Sequence, residues 1–193
     1  MCIRDSDKPA GRGHKLQFSP VKQYALEHSL PLLQPEKLKD EAFVEALREW
    51  KADLQIVVAF RMLPEVVWNM PRLGTFNLHA SLLPQYRGAA PINWAVINGD
   101  TETGITTFFL RHEIDTGEVI QQVRIPIADT DDVGIVHDKL MMLGGKLVTE
   151  TVDAILNDAV KPIPQEEMAV VGELRPAPVS YTHLRAHETD QYL

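Results

Sequence analysis

The stretch Gly74–Ile92, GTFNLHASLLPQYRGAAPI, is the starting point for interpreting the whole chain. It places Asn77 and His79 two residues apart on a short apolar run. Side chains of an extended strand alternate between its two faces, so both polar groups point to the same side. The following residues, Ala80 to Gly88, have neither strand nor helix periodicity and include Pro84. We therefore predict a strand that ends in a loop, at the edge where open α/β sheets bind ligands.

The composition is that of an ordinary globular protein. The chain has 193 residues, 45% of them hydrophobic and 24% charged, which suits a single domain. A net charge of −8 argues against a surface that coats nucleic acid, although a local basic patch is compatible with it. The single cysteine, Cys2, excludes an internal disulfide and a multi-cysteine zinc site. No apolar run reaches the roughly 18 residues of a membrane helix and no signal peptide is present, so we expect a cytoplasmic protein with no membrane partner.

Helix and strand patterns alternate along the chain. Leu54–Phe60, LQIVVAF, is a nearly continuous apolar run, typical of a strand buried on both faces of a parallel sheet. Two later strands are predicted at Gly104–Leu110 and Val119–Ile127, and the longest helix at Val133–Leu156. Shorter helices are predicted at about residues 20–28 and 41–50, capped by Ser19 and Asp40, and at about residues 65–70 and 91–98. This alternation predicts an α/β fold with a doubly wound, mostly parallel sheet and helices on both faces.

Three polar side chains at predicted strand ends could act together: Asn77, His79 and Asp115. A neutral imidazole can accept a proton, an amide can donate a hydrogen bond to a carbonyl oxygen, and a carboxylate can orient the imidazole. The set fits attack of an amine or of water on an acyl carbonyl. Taken singly, the same residues also fit a core histidine, a turn asparagine and a loop cap. The residues alone leave the two interpretations about equal.

Other candidate sites are weaker. Ser81 is not in the G-x-S-x-G turn that exposes a nucleophilic serine. Gly11 and Gly13 lack the preceding strand and the third glycine of a dinucleotide-binding loop. The acidic run Asp129–Asp132 precedes the long helix, so we interpret it as a helix cap and predict no metal site.

The segment Asp7–Lys22, DKPAGRGHKLQFSPVK, concentrates positive charge in an acidic protein. Most charged loops are solvated connectors, which is one interpretation. The other is contact with a polyanion, because lysine and arginine neutralise phosphates and glycines let the backbone approach. Both remain open on the residues alone.

The motifs NLHASLLPQYRGAAPI and HEIDTGEVI together resemble the folate-dependent formyltransferases, whose pattern is Asn-x-His-x-Ser-Leu-Leu-Pro with a later Asp-x-Gly. The resemblance covers about Asp7 to Pro178. It implies a Rossmann-like formyltransferase fold, 10-formyltetrahydrofolate as the formyl donor, and no metal. It also implies a catalytic set of Asn77, His79 and Asp115. The residues implied to bind folate are Ser81, Leu82, Leu83 and Pro84.

The basic segment is similar to one in the branch of that family that acts on methionyl-tRNA. This implies a monomeric enzyme that formylates the α-amino group of methionyl initiator tRNA for translation initiation, with Lys8, Arg12 and Lys15 as tRNA contacts. Two alternatives use the same catalytic set: a formyltetrahydrofolate hydrolase, with water as acceptor, and a phosphoribosylglycinamide formyltransferase. A third alternative is an inactive fragment of the enzyme.

The resemblance also implies domain boundaries. Residues 7–165 correspond to the catalytic domain, which is incomplete at its N-terminus, so the predicted sheet lacks its first strand. Residues 166–178 would begin a linker to a missing C-terminal domain. Residues 1–6 and 179–193 match no neighbouring element, and we interpret them as non-native sequence.

Overall fold

A computed structural model describes residues 18–58, 62–168 and 173–175, together with the backbone of three short strands that precede them. These strands are β1 (Cys2–Ile3), β2 (Lys8–Ala10) and β3 (Lys15–Gln17). The chain divides into two compact units. One contains residues 1–52 and 63–70, and the other contains residues 53–62 and 71–193.

The described part of the first unit contains three helices, two of which begin after the predicted caps Ser19 and Asp40. Helix α1 (Pro20–Glu27) begins after Ser19, whose hydroxyl oxygen accepts a hydrogen bond from the backbone N–H of Lys22 at 3.1 Å. Helix α2 (Glu41–Glu49) is followed by the single-turn α3 (Glu65–Trp68). The spacing of apolar residues in α2 turns one face inward. The core of this unit consists of Phe43, Val44, Leu47 and Val67.

The basic segment is more regular than its sequence suggested. Strands β2 and β3 pair antiparallel, with Lys8 opposite Gln17, while β1 pairs parallel with β4 (Leu32–Leu33). Strands of three residues are too short to produce a recognisable alternation of side chains, so backbone pairing alone defines them. Lys22 belongs to α1 and not to a loop, and its ammonium lies 4.1 Å from the centre of the Phe18 ring.

The second unit is built on a four-stranded sheet in the order β5 (Gln55–Val58), β6 (Thr75–His79), β7 (Glu102–Phe109) and β8 (Val119–Pro126). The described strands that precede β5 pair elsewhere, in agreement with a sheet that lacks its first strand. Strands β5 and β6 are parallel, whereas β6–β7 and β7–β8 are antiparallel. The sheet is therefore mixed, and the prediction of a mostly parallel sheet was wrong for these strands.

The connection between β6 and β7 explains the difference. It contains helix α4 (Pro91–Ile97), whose seven residues rise only about 10 Å. The five residues of β6 run about 17 Å, so this helix does not return the chain to the start of β6. Strand β7 begins where β6 ends and runs back beside it, with Thr106 opposite His79.

The described helices of this unit cover one face of the sheet. Helix α5 (Val133–Leu156) packs there with α4, and the buried cluster is formed by Ile105, Ile125, Val136, Leu140 and Leu147. On the opposite face Phe108 packs against Leu83, from the loop after β6, and Met168. Within this unit, the described contacts on that face come from the loop after β6 and from the segment after α5. No helix in the described ranges combines the length and apolar character that crossing a membrane requires.

Strand β5 also differs from its prediction. It lies at the edge of the described sheet, with Ile56 44% exposed and Val58 63% exposed. A continuous apolar run had predicted burial on both faces, but pairing to a single neighbouring strand leaves these two side chains largely uncovered. Residues 59–60 of the predicted strand lie outside the described residues.

Candidate active site

The predicted imidazole and carboxylate lie together at the end of β6. His79 is 7% exposed, and its Nδ1 lies 3.6 Å from Oδ2 of Asp115. Its other ring nitrogen, Nε2, lies 2.9 Å from the carbonyl oxygen of Tyr86. Because oxygen acceptors face both ring nitrogens, only a doubly protonated imidazole can donate to both. The distance from Nδ1 to the Asp115 carboxylate exceeds that of a hydrogen bond, but the two groups lie close enough for the carboxylate to orient the ring.

The loop that carries Asp115 has a constrained backbone. Asp115 has a φ of 53°, in the left-handed region that non-glycine residues seldom adopt. Its Oδ2 accepts a hydrogen bond of 2.7 Å from the backbone N–H of Gly88. A Cβ at Gly117 would lie 1.5 Å from the carbonyl oxygen of Phe109, so only glycine fits there. The Asp-x-Gly motif thus requires its glycine for close approach to β7.

Asn77 shares a face of β6 with His79, as alternation predicted. Its Oδ1 is buried and has no hydrogen-bond partner within the described ranges. A buried polar atom without a partner is costly in a folded protein and often belongs to a functional site. Rotation of the amide about χ2 would present its N–H₂ group at the same place. The side chain therefore retains unused hydrogen-bonding capacity beside His79.

Ser81 has a structural role in the loop after β6. It is fully buried, and its Oγ donates to the carbonyl oxygen of Gln85 at 2.6 Å. Thr106 supports the same loop: its Oγ1 donates to the Ser81 carbonyl at 2.7 Å and accepts from Leu83 N at 3.2 Å. The side chain of Gln122 bonds both Thr106 Oγ1 and the Leu83 carbonyl. The hydroxyl of Ser81 is therefore not free to act as a nucleophile.

Three of the four predicted folate contacts line one cavity of about 420 Å³: Leu82, Leu83 and Pro84. Glu102 and Arg124 also line it. Ser81 does not line this cavity, and neither do His79 and Asp115. The loop after β6 thus contributes both to the cavity and, through the carbonyl of Tyr86, to the surroundings of His79.

Two residues that the sequence analysis did not select complete the site. Gln165 is 2% exposed, and its Nε2 donates to the carbonyl oxygens of Asp115 and Gly117, both at 2.8 Å. Its Oε1 accepts from Nε and Nη2 of Arg87 at 3.0 and 2.7 Å. No spacing or periodicity connects Gln165 with Arg87 or Asp115, so only the folded chain brings them together.

Tyr86 belongs to a second polar cluster, which also contains Asn98, Asp100 and Arg175. Its hydroxyl donates to Oδ2 of Asp100 and accepts from Nδ2 of Asn98 at 3.0 Å. Burial raises the pKa of the Tyr86 phenol, and the hydrogen bond to the Asp100 carboxylate raises it further. Asp100 also accepts from the guanidinium of Arg175 at 3.2 Å.

The predicted tRNA contacts and the acidic run Asp129–Asp132 are not among the described residues of this site. Arg12 lies outside the described residues, and so do the side chains of Lys8 and Lys15. Within the run Asp129–Asp132, Asp132 caps α5 by accepting from Ile135 N at 2.8 Å, as predicted. No group of three or more metal-binding side chains occurs in the part of the chain that the structure describes.

Comparison with known proteins places these features in a family. Residues 1–152 match a family model described as formyl transferase. The chain is 91% identical over 172 residues to the methionyl-tRNA formyltransferase of Bacteroides thetaiotaomicron, a match that covers 89% of this chain and 53% of the relative. The chain thus spans about half the length of the curated relatives it matches.

Two solved structures share the fold. Phosphoribosylglycinamide formyltransferase from Anaplasma phagocytophilum aligns with a TM-score of 0.68 and 23% identity, over 80% of this chain and 76% of that one. The formyltransferase PseJ from Anoxybacillus kamchatkensis, solved in complex with a nucleotide sugar and tetrahydrofolate, aligns with a TM-score of 0.60 and 20% identity, over 89% and 83%. The Rossmann-like formyltransferase fold is confirmed, and this chain belongs to the formyl transferase family.

Proposed function

We propose that the protein containing this chain transfers a formyl group from 10-formyltetrahydrofolate to the α-amino group of methionyl initiator tRNA. The observation that carries this proposal is the His79–Asp115 pair beside the buried, unpartnered Oδ1 of Asn77. The name of the 91% identical relative supports methionyl-tRNA as the acceptor. Folate as the donor is supported by PseJ, whose structure contains tetrahydrofolate.

The chemistry follows from the polar groups at the end of β6. The amine attacks the formyl carbon, a new C–N bond forms, and the bond from that carbon to N10 of the folate breaks. The proton that the amine loses is transferred to N10. Asn77 and His79 would stabilise the oxygen that gains charge, and loss of one such donor typically lowers kcat by about 10²–10³. Asp115 would orient His79 and balance its positive charge.

The entering substrate must change two contacts of the free protein. His79 Nε2 lies 2.9 Å from the Tyr86 carbonyl, so the formyl oxygen would share or replace that contact. The amide of Asn77 would turn its N–H₂ group toward the same oxygen. Both adjustments are local rotations of side chains and require no movement of β6.

For the donor, we propose that folate contacts the loop Ser81–Pro84. Leu82, Leu83 and Pro84 supply apolar surface at a cavity of about 420 Å³, as expected for a flat aromatic ligand. Ser81 would act indirectly, because its side chain supports the loop through Gln85.

For the acceptor, we propose that Lys8, Arg12 and Lys15 contact phosphates of the tRNA.

The test uses the full-length Bacteroides thetaiotaomicron enzyme in which the matching residues are replaced by those of this chain, called here the full-length chimera. His79→Ala and Asp115→Asn should each lower kcat for formyl transfer by about 10²-fold or more while folate still binds. His137→Ala is the control, because His137 lies exposed on α5 and should leave kcat unchanged. Retained activity in both site variants would contradict the proposal.

The choice of acceptor needs its own measurement. Arg12→Ala should raise the KM for methionyl-tRNA and weaken its dependence on salt. Hydrolysis of formyltetrahydrofolate without tRNA, unaffected by Arg12→Ala, would indicate a hydrolase instead. Transfer to a small phosphorylated amine but not to tRNA would indicate a phosphoribosylglycinamide formyltransferase. No transfer in the unsubstituted chimera would identify the chain as inactive.

A further inference from the structure

We propose that Gln165 is a positioning residue for formyl transfer, holding the two loops around His79 in one arrangement. This inference rests on the proposed function, because it concerns the geometry of the same reaction. Gln165 begins the 3-10 helix Gln165–Glu167 and lies beyond the residues matched by the family model. It does not contact the imidazole directly; its effect would act through Asp115 and Arg87.

The amide of Gln165 uses its full hydrogen-bonding capacity. A side-chain amide has two N–H donors and an oxygen with two lone pairs. The two donors bond the carbonyls of Asp115 and Gly117, and the oxygen accepts two N–H groups of Arg87. Because leaving any of these buried groups unpaired is costly, the four partners fix the amide in one orientation.

The first of the two loops, which contains Asp115 and Gly117, is held in shape by the side-chain amide of Gln165. Asp115 has a left-handed backbone, a conformation that persists only where surrounding contacts hold it. Gln165 bonds the carbonyls on either side of Thr116, so it fixes the backbone from which the Asp115 carboxylate extends. That carboxylate is the group 3.6 Å from His79 Nδ1.

The second loop, which follows β6 and contains Arg87, is held by the hydrogen bonds from Arg87 to Gln165. The neighbours of Arg87 in sequence are Tyr86, whose carbonyl contacts His79 Nε2, and Gly88, whose N–H bonds Asp115. The Nε–H and an Nη2–H of Arg87 both donate to Oε1 of Gln165, so the guanidinium is held to this one oxygen by two hydrogen bonds. One buried amide therefore connects the segments that contact both ring nitrogens of His79.

The experiment substitutes Gln165→Met in the full-length chimera. Methionine keeps the length and volume of the side chain but has no amide. We expect kcat to fall by about 100-fold, the cost of misplacing a catalytic group by roughly 1 Å, with KM for folate and methionyl-tRNA nearly unchanged. Gln165→Glu should lose as much kcat, because it can still bond Arg87 but offers no N–H to the two carbonyls.

Gln121→Met is the matched control. Gln121 accepts from Thr151 Oγ1 at 2.7 Å on the helix-covered face, so its loss should lower the melting temperature without changing kcat per folded molecule. Arg87→Met, which removes two of the four bonds, should lower kcat by about 10-fold and carries the test if Gln165→Met does not fold.

The outcomes are distinct. An active unsubstituted chimera in which Gln165→Met and Gln165→Glu retain kcat would overturn this inference alone. A loss of kcat that follows the melting temperature equally in Gln165→Met and Gln121→Met would also overturn it. An inactive unsubstituted chimera would overturn the proposed function and this inference with it.

Discussion

The two faces of the four-stranded sheet are covered in different ways, and the polar site lies on only one of them. Helices α4 and α5 cover the face that carries Leu78 and Ile105, where an apolar cluster lies beside the hydrogen-bonded side chains of Thr107, Thr151 and Gln121. A loop and a 3-10 helix cover the face that carries His79 and Thr106. A helix satisfies its own backbone groups, whereas a loop leaves many of them to be satisfied by side chains. The loop-covered face therefore contains the polar network that holds His79 and Asp115.

The largest effect should come from the loop-covered face, with Gly117→Ala. The new Cβ would lie 1.5 Å from the Phe109 carbonyl oxygen, so the backbone that carries Asp115 must move. We expect a loss of more than about 4 kcal/mol in the free energy of unfolding, and no measurable formyl transfer. Chemical denaturation of the 193-residue chain and an activity assay of the full-length chimera would measure these.

A glycine on the other side of the sheet provides the contrast. Gly145 lies in α5, and a Cβ there would meet no atom within 4 Å. Gly145→Ala should stabilise the chain by about 0.5–1 kcal/mol, because alanine favours the helix, and leave kcat unchanged. If both glycine substitutions had the same effect, the assignment of Gly117 to a close contact would be wrong.

The next effect tests the helix-covered face. Leu140 is buried in the cluster between α5 and the sheet. Leu140→Ala should cost about 2–5 kcal/mol of unfolding free energy through lost burial and the cavity left behind. Formyl transfer per folded molecule should not change, because Leu140 packs on the face of the sheet opposite to His79. A fall in kcat with the protein fully folded would show that the two faces are coupled.

Adjacent threonines allow the most direct comparison, since Thr106 and Thr107 are both fully buried on opposite faces. Thr106→Val leaves Leu83 N and the Ser81 carbonyl without their partner, at a cost of about 1–3 kcal/mol, and should also raise the KM for folate. Thr107→Val removes a hydrogen bond to Thr151 and should affect stability only. If Thr106→Val and Thr107→Val had the same KM for folate, a folate contact at Ser81–Pro84 would be contradicted.

The smallest loss of stability concerns Tyr86 and pH. The pKa of its phenol is raised above the ordinary value of about 10, so the folded state holds this proton more tightly than the unfolded state. The resulting stability is complete below about pH 10 and falls as the pH rises toward the folded pKa. Tyr86→Phe should cost about 1 kcal/mol near neutral pH and reduce the alkaline decline. Unfolding curves across this pH range would measure both.

Local patterns predicted much of the fold. Ser19, Asp40 and Asp132 cap the helices as expected, because capping involves residues within three positions of one another. Strand β6 and the shared face of Asn77 and His79 followed from alternation. The direction of β7 did not, because pairing direction depends on how the connection returns in space. The exposure of Ile56 and Val58 likewise depends on neighbours that an apolar run does not specify.

The candidate site divides in the same way. The sequence is enough to propose Asn77, His79 and Asp115, because it shows their side-chain types and their spacing within the motifs. The bonds from Gln165 to Arg87 and Asp115 join positions 78 and 50 residues apart. No periodicity relates such positions, so these contacts arise only when β6, β7 and the segment after α5 pack together. Local motifs thus identify the candidate reacting groups, whereas the alignment of these groups depends on packing among distant segments.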